Sequence, residues 1–281
     1  MRDAGRIAAT IEILADFDRR RVPLKTALAD WARGARYAGA KDRAWISGLC
    51  LDVLRRRNSL SLIMGDAGPR ACVFGALHFL WAMAPEALRA IAAEQHGPGA
   101  LSEGENARLA TGAPDVSGAP VHIAGDFPEW LTPHMQRAFG EAAAAEGAAL
   151  ASRADVDLRI NLLKTDPDKA LAALKSVRAE AIPILTSAAR IAAPVPSERA
   201  PAVTVIPAFS KGWVEVQDLG SQLAAAAAGD VKGAQVLDYC AGGGGKTLAL
   251  AAMMQNKGQI FATDDDKRRL APIHERLKRS G

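Results

Sequence analysis

The sequence from Val236 to Thr247 is VLDYCAGGGGKT, and three consecutive acids follow it at Asp264–Asp266. Its first three residues predict a short buried strand, its glycines a tight turn, and its end the start of a helix that continues to Gln255. A second strand is predicted over Gln259–Thr263, directly before the acids. Open α/β sheets use this strand, glycine turn and helix to present backbone to a nucleotide-like ligand.

Two common phosphate and dinucleotide loops do not fit the glycine run. A Walker A loop is Gly-x-x-x-x-Gly-Lys-Ser/Thr, and Cys240 stands where its first glycine is required. A dinucleotide fingerprint, Gly-x-Gly-x-x-Gly, requires glycine where Thr247 or Leu248 stands. Each interpretation therefore lacks a required glycine.

An S-adenosylmethionine site fits the run better. Such a site has an acid at the end of the first strand, here Asp238, and glycines that let backbone approach the ligand closely. A second acid at the tip of the next strand binds the ribose, about 20 residues further on. Asp264 lies 22 positions after Gly242 and directly follows the second strand, which favours it over its acidic neighbours.

Length and composition exclude several classes of protein. The 281 residues predict about two domains. No apolar run approaches the ~20 residues of a membrane-spanning helix, and the start, MRDAGRIAAT, lacks the apolar core of a signal peptide. The three cysteines form no CxxC pair, and no two of the five histidines are four positions apart. We therefore expect a reduced cytoplasmic protein without a metal site or a membrane partner.

Hydrophobic periodicity predicts a multidomain protein in three parts. Residues 1–125 are predicted to form an all-α bundle with a long loop over 96–120, and residues 126–210 a helical linker followed by a small α+β subdomain. Residues 211–281 are predicted to begin an α/β Rossmann-like domain whose last helix covers 267–278.

Basic residues are concentrated near the amino terminus, with thirteen Lys and Arg against seven acids up to Arg57. The exposed side of the third predicted helix, 42–57, carries Arg43, Arg55, Arg56 and Arg57. These side chains form either an RNA-binding face for phosphate or an ordinary solvated surface. In the small subdomain, Arg159 and Asn161 either contact RNA or lie in a packed linker.

Two stretches resemble a known family. The segment DRAWISGLCLDVLRRRNSL (Asp42–Leu60) resembles the core helix of the NusB-type RNA-binding fold. Three later motifs resemble the RNA 5-methylcytosine methyltransferases of the Sun/Fmu/RsmB type, which are related to the Nop2/Sun proteins. They are QD-x-x-SQ at Gln217–Gln222, D-x-CAxPGGKT at Asp238–Thr247 and D-x-D-x-x-R-L at Asp264–Leu270.

The resemblance implies a NusB-like domain, a small RNA-binding subdomain and a Rossmann domain, acting with S-adenosylmethionine on cytosine in small-subunit (16S) ribosomal RNA. It implies that Asp264 holds the cofactor ribose and that Lys246 contacts the methionine carboxylate or a catalytic-loop acid, unless it is simply a first-turn lysine. The residues implied to contact the cofactor are Cys240, Ala241, Gly242, Gly243, Gly244, Gly245, Lys246 and Asp264.

The chain departs from the family pattern in two ways. Gly242-Gly243 replaces the usual Ala-Pro, and the Pro-Cys and Thr-Cys motifs that carry the catalytic cysteines are absent. Cys240 belongs to the cofactor loop and does not replace them. We therefore expect a monomer that is a fragment, a truncated product or part of a split enzyme. The alternative is a non-catalytic RNA-binding module that retains the NusB-like domain.

Overall fold

The computed structural model of the chain describes residues 1–112, 115–196, 198 and 202–281. These residues form two compact units. The first unit contains Met1–Arg153 with the described residues of 194–199, and the second contains Ala154–Ala193 with residues 202–281. The three predicted parts, with boundaries at 125/126 and 210/211, remain a finer prediction.

The first unit is helical. Its α-helices are α1 (Asp3–Arg20), α2 (Leu24–Gly34), α3 (Ala40–Arg55), α4 (Arg57–Met64), α5 (Pro69–Gly75), α6 (Pro85–Ala92), α7 (Glu103–Ala110), α8 (Val121–Ala124), α9 (Thr132–Phe139) and α10 (Ala143–Leu150). A π-helical turn, Ala76–Leu80, continues α5. Ile7, Leu14 and Leu49 are almost fully buried in one core, where α1 packs against α2, α3 and α5.

Two helical details of this unit differ from the prediction. The predicted loop 96–120 contains α7, which begins with a capping box: the Ser102 hydroxyl accepts from the Glu105 amide, and the Glu105 carboxylate accepts from the Ser102 amide. This Ser-x-x-Glu signature was visible in the sequence. The helical linker predicted from residue 126 onwards is broken at Gly140, whose φ is +57°.

The second unit combines helices with two sheets. Its elements are β1 (Val156–Ile160), α11 (Pro167–Ala173), β2 (Ala179–Ala181), β3 (Ala188–Ile191), α12 (Pro207–Ser210), β4 (Val214–Val216), α13 (Leu219–Ala226), β5 (Gln235–Asp238), α14 (Gly245–Met253), β6 (Gln259–Ala262), α15 (Lys267–Leu270) and α16 (Ile273–Ser280).

An antiparallel four-stranded sheet has the order β2-β3-β1-β4. Leu158 of β1 pairs with Ala189 of β3 on one side and with Val216 of β4 on the other. The strand at 214–216 therefore completes the sheet that begins at Val156, so this sheet crosses the predicted boundary at 210/211.

The predicted strand, glycine turn, helix and strand form a βαβ unit. β5 and β6 are parallel, with Val236 opposite Ile260, and α14 connects them. The last predicted helix, 267–278, is two helices, because Pro272 cannot donate the backbone hydrogen bond that would continue α15.

The helix α16 packs against the amino-terminal end of α14. Gly244, at the N-cap of α14, has a φ of +78°, and a Cβ built there would lie 2.4 Å from Cγ1 of Ile273. Glycine is therefore required at this position for two reasons, its backbone conformation and the close approach of Ile273.

In the first unit, α1 and α3 are joined by the Asp42 carboxylate. It accepts hydrogen bonds from Nε and Nη2 of Arg6 (2.9 and 2.7 Å), from the Met1 ammonium (3.2 Å) and from the Gly39 amide (3.0 Å). These donors, Arg6 first, lower the pKa of Asp42 to about 2.

We predict that Asp42→Asn destabilises the first unit in a pH-dependent manner. The folded-state pKa lies below the ordinary value near 4, so the contribution of Asp42 is complete above that value and is lost as the pH falls towards about 2. The difference in Tm between wild type and variant should therefore shrink between pH 5 and pH 2. Asp3→Asn is the control, because its pair with Arg6 is about half exposed and contributes little. A difference that stays constant down to pH 2 would contradict the prediction.

We predict that Gly244→Ala destabilises the second unit more than Gly229→Ala. Both glycines have a positive φ, +78° and +70°, but a Cβ on Gly229 meets no described atom within 4 Å. The control should lose about 1–2 kcal/mol from backbone strain, and Gly244→Ala about 1–3 kcal/mol more from the contact with Ile273. Urea unfolding measures both values, and equal losses would show that Ile273 moves aside without cost.

Candidate functional site

The glycine loop, Cys240–Lys246, joins the end of β5 to α14. Its backbone is fixed to the next strand, because the Ala241 amide donates to the Thr263 carbonyl oxygen (2.8 Å) and the Thr263 amide donates to that of Asp238 (3.0 Å). Within the loop, the Gly244 amide donates to the Ala241 carbonyl oxygen at 2.8 Å. The loop therefore has a defined backbone path despite its four glycines.

Two acidic residues, Asp238 and Asp264, accept hydrogen bonds from the glycine loop and the start of α14. The buried Asp238 accepts a 2.6 Å hydrogen bond from the Thr247 hydroxyl. Oδ2 of Asp264 accepts from the Gly242 amide (2.9 Å), and its Oδ1 accepts from the Asp266 amide (3.1 Å). The Asp264 side chain is only 1% exposed. The hydrogen bond from the Asp266 amide, helped by that from Gly242 and by the charge of Arg269, lowers the pKa of Asp264 despite its burial.

The amino-terminal end of α14 can receive a negative group. Among the described residues, the amides of Gly245, Lys246 and Thr247 have no hydrogen-bond acceptor. Unpaired first-turn amides and the helix dipole both favour an anion at this end. A Cβ on Gly242 or Gly245 would be at ordinary contact distance from its nearest atoms, 3.9 and 3.7 Å away. Glycine at these two positions leaves backbone uncovered that a side chain would cover.

Two residues that the sequence did not single out also contact or support the loop. Nη1 of Arg276, on α16, donates to the Gly243 carbonyl oxygen at 2.6 Å. The Arg276 guanidinium is held by Glu215 of β4, with Nη2 at 3.1 Å from Oε2. No local pattern links positions 61 residues apart, so only the tertiary structure reveals this pair.

Residues of the QD-x-x-SQ segment form a buried polar cluster next to Glu215. Oε1 of Gln217 accepts from Nε of Arg159 at 2.8 Å, and the Gln222 side chain donates to the Gln217 carbonyl oxygen at 2.8 Å. Arg159 is 4% exposed, and burial lowers its pKa to about 10. Asn161 is also buried. For Arg159 and Asn161 the packing alternative therefore fits better than an exposed RNA contact.

The four arginines of the predicted RNA-binding face are not all neighbours. Arg55 and Arg56 line one surface pocket of about 330 Å³ together with Arg153. Arg57 lies outside it and makes a two-bond pair with Asp18, both at 2.6 Å. The Asp18 hydrogen bond raises the pKa of Arg57. Arg43 donates to the Ala38 carbonyl oxygen at 3.0 Å.

The pocket of Arg55, Arg56 and Arg153 contains one acid. Asp52 accepts from Nη2 of Arg153 (2.7 Å) and from the Trp81 indole (2.8 Å), and its side chain is 6% exposed. Arg55 also pairs with Asp52, and Arg56 pairs with the buried Asp126 at 3.6 Å. Three guanidiniums therefore face two carboxylates, which leaves one positive charge at the pocket.

Neither a membrane segment nor a metal cluster occurs among the described residues. No helix in the ranges 1–112, 115–196 and 202–281 is long and apolar enough to cross a bilayer. In the same part of the chain, no three or more His, Cys, Asp or Glu side chains are grouped so that they could hold a metal ion.

Family profiles match two segments of the chain. Residues 227–281, which contain the glycine loop, match the family described as 16S rRNA methyltransferase RsmB/F. Residues 127–198 match the RsmF/B-like ferredoxin-like domain of methyltransferases. The second match includes three strands of the four-stranded sheet.

Curated relatives match more of the chain. A ribosomal RNA small subunit methyltransferase B from Klebsiella pneumoniae is 28% identical over an alignment of 265 residues, and the match covers 86% of this chain and 59% of the relative. One from Photorhabdus laumondii is 34% identical over 154 residues, which is 54% of this chain and 34% of the relative. The chain thus spans between one third and three fifths of the length of these relatives.

Solved structures agree with this fold. The crystal structure of PH0851 has a TM-score of 0.62 at 20% identity and covers 100% of this chain and 68% of its own. A methyltransferase homologue from Pyrococcus horikoshii has a TM-score of 0.50 at 26% identity, covering 57% of this chain and 52% of its own. Together, the family profiles and the curated relatives show that the chain is similar to RNA methyltransferases of the Sun/Fmu/RsmB type.

Proposed function

We propose that the glycine loop binds S-adenosylmethionine and that the chain takes part in methylating C5 of cytosine in 16S ribosomal RNA. The observation that carries the proposal is the position of Asp264. Its carboxylate follows the end of β6 and lies 2.9 Å from the Gly242 amide of the glycine loop. A ribose-binding acid belongs at this place in a nucleotide-like site.

Different groups of the site would bind different parts of the cofactor. The first-turn amides of α14 suit the methionine carboxylate, and the exposed Lys246 can add a positive charge. Each oxygen of Asp264 retains a second acceptor site for a ribose hydroxyl, although a small movement of the loop must expose it. The bound cofactor supplies an electrophilic methyl group.

The nucleophile is proposed to lie outside this chain. The resemblance implies that a cysteine thiolate attacks C6 of cytosine, which makes C5 nucleophilic. Cys50 and Cys72 are fully buried in the first unit, and burial raises the pKa of both thiols, that of Cys50 to about 12. Burial thus disfavours the thiolate form that the attack requires. Cys240 is exposed but belongs to the cofactor loop.

We retain a NusB-like domain over 1–125, an RNA-binding subdomain over 126–210 and the start of a methyltransferase domain over 211–281 as part of this proposal. Ribosomal RNA is the proposed partner of a cytoplasmic monomer. A non-catalytic RNA-binding module is the second candidate function, and the positive pocket at Arg55, Arg56 and Arg153 favours it.

Calorimetric titration with S-adenosylmethionine tests the proposal. We expect wild type to bind and Asp264→Ala to bind about tenfold or more weakly, a loss of about 1.4 kcal/mol, because both the loop anchor and the ribose acceptor are removed. Asp266→Ala is the matched control. Its carboxylate caps α15 and pairs with the exposed Arg268, so we expect little change. Equal losses would assign the ribose to a different acid.

A methyl-transfer assay with unmodified 16S RNA separates the two candidate functions. We expect the chain to bind cofactor without transferring a labelled methyl group to the RNA. Transfer of the label would contradict the proposal that the nucleophile lies outside this chain. RNA binding without any cofactor binding would favour the non-catalytic module.

We predict that Arg55→Ala with Arg56→Ala weakens RNA binding and lowers the slope of log K against log[salt] by about 1–2, one unit per lost phosphate contact. Arg57→Ala is the comparison, since two hydrogen bonds of 2.6 Å hold that side chain on Asp18, whereas the ion pairs of Arg55 and Arg56 are longer, at 3.3 and 3.6 Å. Filter binding between 50 and 200 mM salt measures the slopes. An unchanged slope in the double variant would identify those two arginines as solvated surface.

A further inference from the structure

The helix α16 touches the glycine loop at two points on one face. Ile273 lies against Gly244, and Arg276, three residues later, donates from Nη1 to the Gly243 carbonyl oxygen at 2.6 Å. Residues three apart are neighbours on a helix surface. One face of α16 therefore supports the peptide between Gly243 and Gly244.

Both polar groups of this peptide are fixed. Arg276 holds its carbonyl oxygen, and its amide, on Gly244, donates to the Ala241 carbonyl oxygen at 2.8 Å. Because a peptide unit is planar, restraining both groups sets its orientation. Glycine has more conformational freedom than any other residue, so a run of four needs such external restraint. The orientation of this peptide therefore constrains the direction of the next two amides, those of Gly245 and Lys246.

Arg276 is itself fixed by a buried carboxylate. Glu215 is 2% exposed in β4 and accepts from Nη2 and Nε of Arg276 at 3.1 and 3.2 Å. Its other oxygen accepts from Nη2 of Arg279 at 2.6 Å. Charge-assisted hydrogen bonds to a planar guanidinium restrict its direction strongly. Glu215 thus orients Arg276 so that the remaining Nη1 points at the loop.

We propose that Arg276 is a positioning residue for the methyl donor: held by Glu215, it pre-orients the Gly243–Gly244 peptide so that the amides beginning α14 face the cofactor. The inference rests on the proposed function of the glycine loop. It adds a contact from α16 and β4 to a site that the motifs alone assign to β5, α14 and β6.

A matched pair of variants tests the inference. Arg276→Met and Arg279→Met each remove a partner of Glu215, but only Arg276 contacts the glycine loop. Arg279 also lies over the Phe209 ring at 4.2 Å, so its loss should disturb folding at least as much. We expect both variants to lower Tm. Only Arg276→Met should weaken S-adenosylmethionine binding, by about tenfold through lost pre-organisation, and speed hydrogen exchange of the loop amides.

The outcomes separate the inference from the proposed function. Wild type that binds no S-adenosylmethionine refutes the proposed function and, with it, this inference. Wild-type affinity in Arg276→Met, or an equal loss in Arg279→Met, overturns the inference alone. If Arg276→Met does not fold, Arg276→Lys decides. Its single ammonium retains a charge for Glu215 but cannot reproduce the three-point geometry, so affinity should fall several-fold. Unchanged affinity there overturns the inference.

Discussion

The ion pairs of the buried Glu215 carboxylate with Arg276 and Arg279 hold the parts of the second unit together. Moving a charged group out of water costs on the order of several kcal/mol of free energy unless hydrogen-bond partners replace the lost hydration. Here two arginines of α16 provide that replacement, and Arg159 lies opposite Glu215 in the neighbouring strand. The antiparallel sheet, the carboxyl-terminal helix and the glycine loop are therefore linked through one ionic cluster.

The glycine loop shows how local rules predict a site. The order of strand, turn, helix and strand follows from apolar runs and glycine chemistry over 236–263, and the structure has this order with parallel pairing of β5 and β6. The acid after the second strand also lies against the turn, as its spacing indicated. These features depend on residues within one βαβ unit, where sequence separation is short and steric rules are strong.

Other features depended on distant partners and were not predicted. The pattern around Arg159 and Asn161 left an RNA contact and a packed linker open, and both side chains are buried. Arg159 donates to Gln217, 58 positions away, and no local rule predicts that partner. The arginines near residue 57 suggested one continuous face, but Asp18, 39 positions away, binds Arg57 and separates it from Arg55 and Arg56. A local sequence pattern shows where a charged side chain stands in the chain, but its hydrogen-bond partner depends on the tertiary structure.

The parallel register of β5 and β6 has one more consequence. It pairs Leu237 with Phe261, and these side chains are 60% and 46% exposed. With Tyr239, which is 75% exposed, they leave large apolar surface in water near the end of β5. Exposed apolar surface of this kind gains free energy from any apolar surface that covers it. We therefore expect the association of the protein at high concentration and its affinity for hydrophobic dyes to depend on this apolar surface, and not on the glycine loop that is proposed to bind cofactor.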